Sequence, residues 1–324
     1  MFAALALVAV ALDAAVGYPG AVYRTIGHPV TWIGRLIAWG DRAWNSDDEA
    51  FEQRRVQGVA LLLLLLAASL LAGLVISRLC DRLLPPIVAL AVCAAVASTL
   101  LAQRSLHSHV IAVADALEKG GVDAGRQAVS MIVGRDTRDL DEAAVSRAAV
   151  ESLAESFSDG VVAPLFWLVV AGLPGAIAYK AVNTADSMIG HKSERYLAFG
   201  WASARFDDLV NLPASRLAAL WLVLAAALLP GFAPARAIAA AWRDAGRHDS
   251  PNAGWPEAAM AGALGVRLAG PRVYDGEIVE GHWMGEGRSA LTARDIRAAL
   301  RLYCAACGLQ MAVLAVLTAL SLLL

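Results

Sequence analysis

Apolar and polar residues follow one another along this chain in long blocks. Five windows, 56–77, 83–103, 160–179, 217–235 and 302–324, contain no charged residue. Each is about 20 residues long, and at a rise of 1.5 Å per residue a helix of that length crosses the roughly 30 Å hydrocarbon layer of a bilayer. Window 56–77 contains Leu61 to Leu66 unbroken, and 302–324 is apolar to its last residue. The stretch Met1 to Leu12 is apolar too, but meets Asp13 after 12 residues. It has no basic leading region and no clear small-residue cleavage site, so we expect a short anchor or a core-lining helix rather than a cleaved signal.

Between the windows lie four polar stretches, 18–55, 104–159, 180–216 and 236–301. Few segments alternate with period two, so strands are expected to be a minor element. Leu106, Val110, Val113 and Leu117 recur at helical spacing, and Gly120-Gly121 are expected to stop that run. A second helix is predicted from near Asp139 to Gly160, with Asp141 and Glu142 set against its N-terminal dipole. Val145, Ala149, Leu153 and Phe157 would form its apolar stripe, with Glu151, Glu155 and Asp159 on roughly the opposite side. The pattern predicts an all-α, polytopic integral membrane protein of about five apolar helices, some broken or re-entrant, with helical cytoplasmic loops, as one membrane-embedded domain over 1–324.

If all five windows cross, 1–55, 104–159 and 236–301 share one side and hold 20 of the 27 Lys and Arg residues. The positive-inside rule puts that side in the cytoplasm, and we expect a multi-pass protein of the cell's inner membrane. The same count leaves 180–216 outside. Pro164, Gly172, Pro174 and Gly175 in one window, and Pro230, Gly231 and Pro234 in another, point instead to broken helices, with 180–216 facing a cytoplasmic cavity.

Composition sharpens this. The 324 residues are 58% hydrophobic and 17% charged, and all 56 charged residues sit in the 219 outside the windows. That excludes a soluble globular domain, a disordered chain and a disulfide mini-protein. A net charge of −2 and a pI near 6.3 leave no basic field for nucleic acid. Cys304 and Cys307 form a C-x-x-C inside an apolar segment with no second pair, which reads as helix packing.

Three stretches carry candidate chemistry. Like charges at i, i+4 and i+8 in Glu151, Glu155 and Asp159 weaken a helix unless a cation faces them, so the row is either a solvated face or a magnesium site. The stretch Asn183-Thr-Ala-Asp186-Ser-Met-Ile-Gly190-His191-Lys192-Ser-Glu-Arg195 combines phosphate donors, a base that titrates near neutrality and a metal-type carboxylate. It is no P-loop, because His191 separates Gly190 from Lys192. Arg205-Phe-Asp207-Asp208-Leu-Val-Asn211 places Asp207 or Asp208 on one helical face with Asn211. Elsewhere, His28-Pro29 forms a turn before a helix that carries Arg35, and Pro256 suits the first position of a small-residue helix after Asn252 and Trp255. Small residues there serve close helix packing or a flat, bulky ligand.

In this order these stretches resemble the adenosylcobinamide-phosphate synthase family of cobalamin biosynthesis, CobD/CbiB. The matching text is Asp13-x-x-x-Gly17-x-Pro19 with His28-Pro-Val-x-x-Ile-Gly-Arg35; Glu151-Ser-Leu-Ala-Glu155-Ser-Phe-Ser-Asp159-Gly160; Asn183 to Lys192; Phe199 to Pro213; and Ser250-Pro-Asn-Ala-Gly-Trp-Pro-Glu257. It extends from about residue 10 to 290, with one departure, Ala269-Gly270, where a Gly-Gly pair is expected.

The resemblance implies an ATP-dependent amide ligase that joins adenosylcobyric acid to (R)-1-aminopropan-2-ol phosphate or aminopropanol. Its substrates would be the corrinoid, the amine and ATP with Mg²⁺. Other membrane-associated enzymes of the pathway are candidate partners. On this reading Asp159, Asp186 and Asp208 bind metal, and His191, Lys192 and Glu155 are catalytic, with His191 the base. Asn183, Arg195, Arg205, Asp207, Asn211, His28, Arg35, Asn252, Trp255 and Glu257 bind nucleotide or substrate. Two rivals stay open here, a magnesium-dependent prenyl or CDP-alcohol transferase, and a transporter using Asp13 and Lys180 as coupling charges.

Overall fold

The computed structural model describes residues 2–274, 277–279 and 281–323. The helices are α1 (Phe2–Ala15), α2 (Gly20–Ile26), α3 (Pro29–Trp44), α4 (Phe51–Leu83), α5 (Pro86–Ser98), α6 (Gln103–Ser130), α7 (Glu142–Phe157), α8 (Ala163–Ile189), α9 (Trp201–Leu228), α10 (Pro234–Asp244), α11 (Gly254–Leu264) and α12 (Ala293–Leu323). Strands are short, as expected: β1 (Leu268–Ala269) pairs with β4 (Trp283–Met284), and β2 (Arg272–Tyr274) with β3 (Glu277–Val279), both antiparallel. Five segments are long and apolar enough to cross a membrane, each overlapping one charge-free window. The protein is an all-α, multi-pass membrane protein. Helix α1 and the stretch Gly20–Trp44 meet at 105°, and together they pass the same test as a broken sixth segment.

Two compact units are present. The first comprises Met1–Ala102, Ala163–Asn211 and Leu314–Leu324, and the second Gln103–Val162 and Leu212–Val313. In the first, α4 leaves Leu63, Leu71 and Leu74 exposed, a surface that lipid satisfies and water does not. Helix α1 is core-lining, burying Leu5, Ala6, Ala9 and Val10. Helix α8 packs against α1, α3, α4 and α5. Ile37 of α3, Leu61 and Leu65 of α4, Ala185 and Ile189 of α8, and Phe199 close one core cluster. The predicted break in 160–179 is at Gly172, whose φ of 65° is non-helical, two residues before Pro174. Window 217–235 behaves differently. Helix α9 runs on to Leu228, and Pro230 and Gly231 occupy the turn leading to α10.

In the second unit α6 buries Leu106, Val110, Val113 and Leu117. Gly121 leaves helical geometry at φ 71°, yet the helix resumes to Ser130. Helix α7 starts at Glu142, where the Asp141 carboxylate accepts a hydrogen bond from the Ala144 amide at 2.7 Å. Its stripe of Val145, Ala149, Leu153 and Phe157 is fully buried. It does not stop at Gly160. It passes at Ser158 into a π turn through Val162. Helix α11 begins at Gly254, so Pro256 falls at its third position rather than its first; amides in the first turn have no intrahelical acceptor, and the ring costs no bond there. A methyl group at Gly262 would lie 2.4 Å from the Arg236 carbonyl oxygen, so the small residues of α11 serve packing against α10.

Candidate active site

Helix α8 is apolar until its last three turns, where Tyr179, Asn183 and Asp186 recur at steps of four and three residues and so share one face, with Gly190 just past its end. Helix α9 supplies Asp207, Asp208 and Asn211 from its first turns. The Tyr179 hydroxyl donates to Asn211 Oδ1 at 2.9 Å, and Asn211 Nδ2 donates to Asp207 Oδ2 at 2.9 Å. Lys180 Nζ donates to Asn183 Oδ1 at 3.2 Å. Asp186 is near enough to Asp207, Asp208 and His191 to feel their charges, and Asp208 is similarly coupled to Lys192 and Arg205, the last at 3.6 Å. Asp207 Oδ1 is buried and makes no hydrogen bond of normal geometry, although the Asn183 side chain lies within interaction range of the carboxylate.

Tight backbone geometry holds the two helices in register. A methyl group at Gly190 would sit 2.0 Å from Asp186 Oδ1, and one at Gly200 would sit 1.6 Å from the Ile189 carbonyl oxygen. Only glycine fits either place. Arg195 takes no part in the acidic cluster. It donates to both oxygens of Asp41 at 3.1 and 3.2 Å, and its own carbonyl accepts from Asn45 and Arg54. The hydrogen bond to Asp41 raises the Arg195 guanidinium above its ordinary value. This residue therefore ties the 190–200 loop to α3. His28 caps α3, its Nδ1 accepting from the Val30 amide at 3.2 Å, and lies within electrostatic reach of Lys180. Arg35 is exposed.

The remaining predicted positions belong to the second unit. Glu155 is exposed and Asp159 half-buried. Glu151 is buried and structural, pairing with Arg135 Nη2 at 3.2 Å and accepting from the Ala269 amide at 2.8 Å. Asn252 is buried, its Oδ1 accepting from Ser215 Oγ at 3.0 Å and Arg216 Nη1 at 2.9 Å. Trp255 meets Trp242 edge-on and lies 4.9 Å beneath the Arg216 guanidinium. Glu257 is buried with His248 Nε2 at 3.7 Å.

The model of the family described as CobD/CbiB protein matches residues 6–303. The chain is also 52% identical over 313 residues to the cobalamin biosynthesis protein CobD of Sinorhizobium fredii, covering 96% of this chain and 95% of that one. This chain belongs to the CobD/CbiB family. Identity is 50% over 311 residues with the protein of that name from Rhizobium meliloti, and 49% over 302 residues with that from Rhodobacter capsulatus, with 93–94% of each chain covered. No solved structure matches the chain.

For a CobD/CbiB protein, three features of the first unit bear on whether it suits a divalent cation and phosphate. Among the described residues no group of three or more His, Cys, Asp or Glu side chains is placed to hold a metal by itself. Magnesium, however, is commonly held by one or two carboxylates, with substrate phosphates and water completing its shell. The coupled Asp186, Asp207 and Asp208, with a carboxylate oxygen that makes no hydrogen bond of normal geometry and Lys192 and Arg205 beside Asp208, fit that kind of site. Tyr179 and Asp41 are missing from the sequence reading. The step of four from Tyr179 to Asn183 could have found the first, whereas nothing local marks Asp41 as the partner of a residue 154 positions away.

Proposed function

We propose that this CobD/CbiB protein is an inner-membrane enzyme of cobalamin biosynthesis, an ATP-dependent ligase. It forms an amide between the free propionate carboxylate of adenosylcobyric acid and (R)-1-aminopropan-2-ol phosphate or its unphosphorylated form. The observation that carries the reading is that Asp186, Asp207 and Asp208 lie within electrostatic reach of one another and, between them, of His191, Lys192 and Arg205, with Arg205 3.6 Å from Asp208. A carboxylate does not accept an amine at neutral pH until its oxygen is made a leaving group, most simply by transfer of phosphate from ATP. Magnesium bound with the nucleotide supplies neutralisation of the phosphate charge.

In this scheme Asp186 and Asp208 would hold the cation with the charge of Asp207 beside them, and Asp207 is kept in place by Asn211, which Tyr179 orients. Lys192 and Arg205 neutralise phosphate oxygens from the exposed loop and the first turns of α9. His191 takes the proton from the attacking ammonium nitrogen. The carboxylate oxygen departs with inorganic phosphate, so ATP is consumed to ADP as one amide forms. Arg195 is a positioning residue for the loop. Glu155 and Asp159 carry the family's motif in the second unit, and their alanine variants test it separately.

The test uses detergent-purified protein with Mg-ATP, adenosylcobyric acid and the amine, read by corrinoid mass and ADP release. The expected result is addition of one aminopropanol unit with one ADP. Asp186→Ala and Lys192→Ala should abolish it while leaving membrane insertion intact. No mass gain, or consumption of a prenyl diphosphate in its place, would sink the ligase reading.

A further inference from the structure

A cavity of about 750 Å³ in the second unit shares no lining residue with the candidate active site. Its lining includes Arg243, Arg247, Arg267, Trp283 and Glu286. A neighbouring cavity of about 270 Å³ shares Arg243 and Glu286 with it and adds Arg236. On α10, Arg236 and Arg243 are seven residues apart and share one face, and Arg247 closes the 3-10 turn that follows.

Arg243 is built into place. Its Nε donates to Asp244 Oδ1 at 2.8 Å and its Nη2 to Asp244 Oδ2 at 2.6 Å; Oδ2 also accepts from the Gly285 amide at 2.9 Å. Burial pushes the Asp244 carboxyl up, but the Arg243 hydrogen bonds and the Gly285 amide outweigh it and hold it below the ordinary carboxylate range. The remaining nitrogen, Nη1, points at Glu286, 2.5 Å away on a side chain that is 77% exposed. Arg267 is oriented by its Nε bond to the Gly287 carbonyl at 2.8 Å, and its guanidinium lies 5.9 Å from the Trp283 ring. Arg247 is 57% exposed and 3.8 Å from Asp244.

One buried carboxylate thus fixes the central guanidinium, while a solvent-exposed carboxylate covers the nitrogen facing the cavities. An exposed ion pair contributes little, so Glu286 is easily displaced by a better anion. Guanidinium groups bind phosphate through paired N–H donors.

We propose that this pair of cavities is a binding site for a soluble phosphate-bearing small molecule, whose anion replaces Glu286 on Arg243 and is gripped by Arg247 and Arg267. Arg243 and Glu286 border both cavities, so the displaced carboxylate lies where the two meet. The assignment does not depend on the ligase reading, because binding is measured without turnover.

The experiment is calorimetric titration of the detergent-purified full chain with inorganic pyrophosphate in EDTA, which silences any site needing a divalent cation. Binding is expected to weaken about tenfold in Arg247→Ala and in Arg267→Ala, the size of one lost charged hydrogen bond. Glu286→Gln should tighten it several-fold, an outcome that a variant merely impaired in folding cannot produce. No binding, or equal affinity in all three variants, would overturn the proposal. Binding of a short-chain phosphatidic acid with none of pyrophosphate would overturn it too, by moving the site to a lipid headgroup.

Discussion

Glu151 and Asp207 are both buried carboxylates on long helices, exposed by 6% and 7%, so burial does not distinguish them. Their partners do. Glu151 is answered by a guanidinium on one oxygen and a backbone amide on the other. Asp207 receives a hydrogen bond from Asn211, its heaviest charged neighbour is another carboxylate, Asp186, and one of its oxygens is left without a hydrogen bond of normal geometry. A carboxylate already neutralised in place has little left to offer a ligand. One held by neutral amides beside a like charge costs stability in the empty protein and is ready for a cation. A buried acid on a helix therefore has two meanings, set by what faces it.

The sharpest way to break this contrast is to remove the charge at Asp207. Asp207→Asn should lower ligation about a hundred- to a thousandfold, the scale of one lost electrostatic contact in an active site. Its melting temperature in detergent should hold or rise, and a matching fall in both would assign Asp207 to the scaffold. The reverse pattern is expected at Glu151. Glu151→Ala strands a buried guanidinium and should cost about 3 kcal/mol, read as a lowered unfolding midpoint. A loss under about 1 kcal/mol would mean that Arg135 finds water instead.

The smallest effect sharpens the same contact from its other side. Ala269, whose amide donates to Glu151, has a φ of 56°, in the left-handed region that disfavours any residue with a Cβ. It stands where the family resemblance leads us to expect glycine. Ala269→Gly should relieve that strain and raise stability by about 1 kcal/mol, checked as a higher melting temperature. No gain would show that the Glu151 contact holds Ala269 there without penalty.

Much of the fold was legible because bilayer and helix impose lengths and periods that single residues reveal. The charge-free windows and the α7 stripe from Val145 to Phe157 follow from local spacing, whereas the start of α7 falls at Glu142, capped by Asp141, and not near Asp139. The polar end of α8 and the start of α9 could be picked out as dense in chemistry for the same reason. What escaped was pairing across distance. Nothing near Glu151 announces the amide 118 residues on, and nothing near Arg195 announces Asp41. Helix limits slipped where the backbone had an alternative to stopping, as at Gly160, where a π turn carries the chain forward. The cavity around Arg243 was hidden because its arginines come from α10, the turn beyond it and the segment near β1, with no motif linking them.

The near-contact of Gly200 with the Ile189 carbonyl means that the segment joining α8 and α9 leaves and returns at one point. Such a closed loop of about ten residues has its ends already stapled, while Arg195 and Phe199 fasten its far side to α3 and α4. An exchange between homologous proteins would therefore have to keep Asp41, Asn45 and Arg54, the residues that hold Arg195. Swapping it would transplant His191 and Lys192 as a set, while Asp186 and Asp208 stayed behind as the fixed half of the grip.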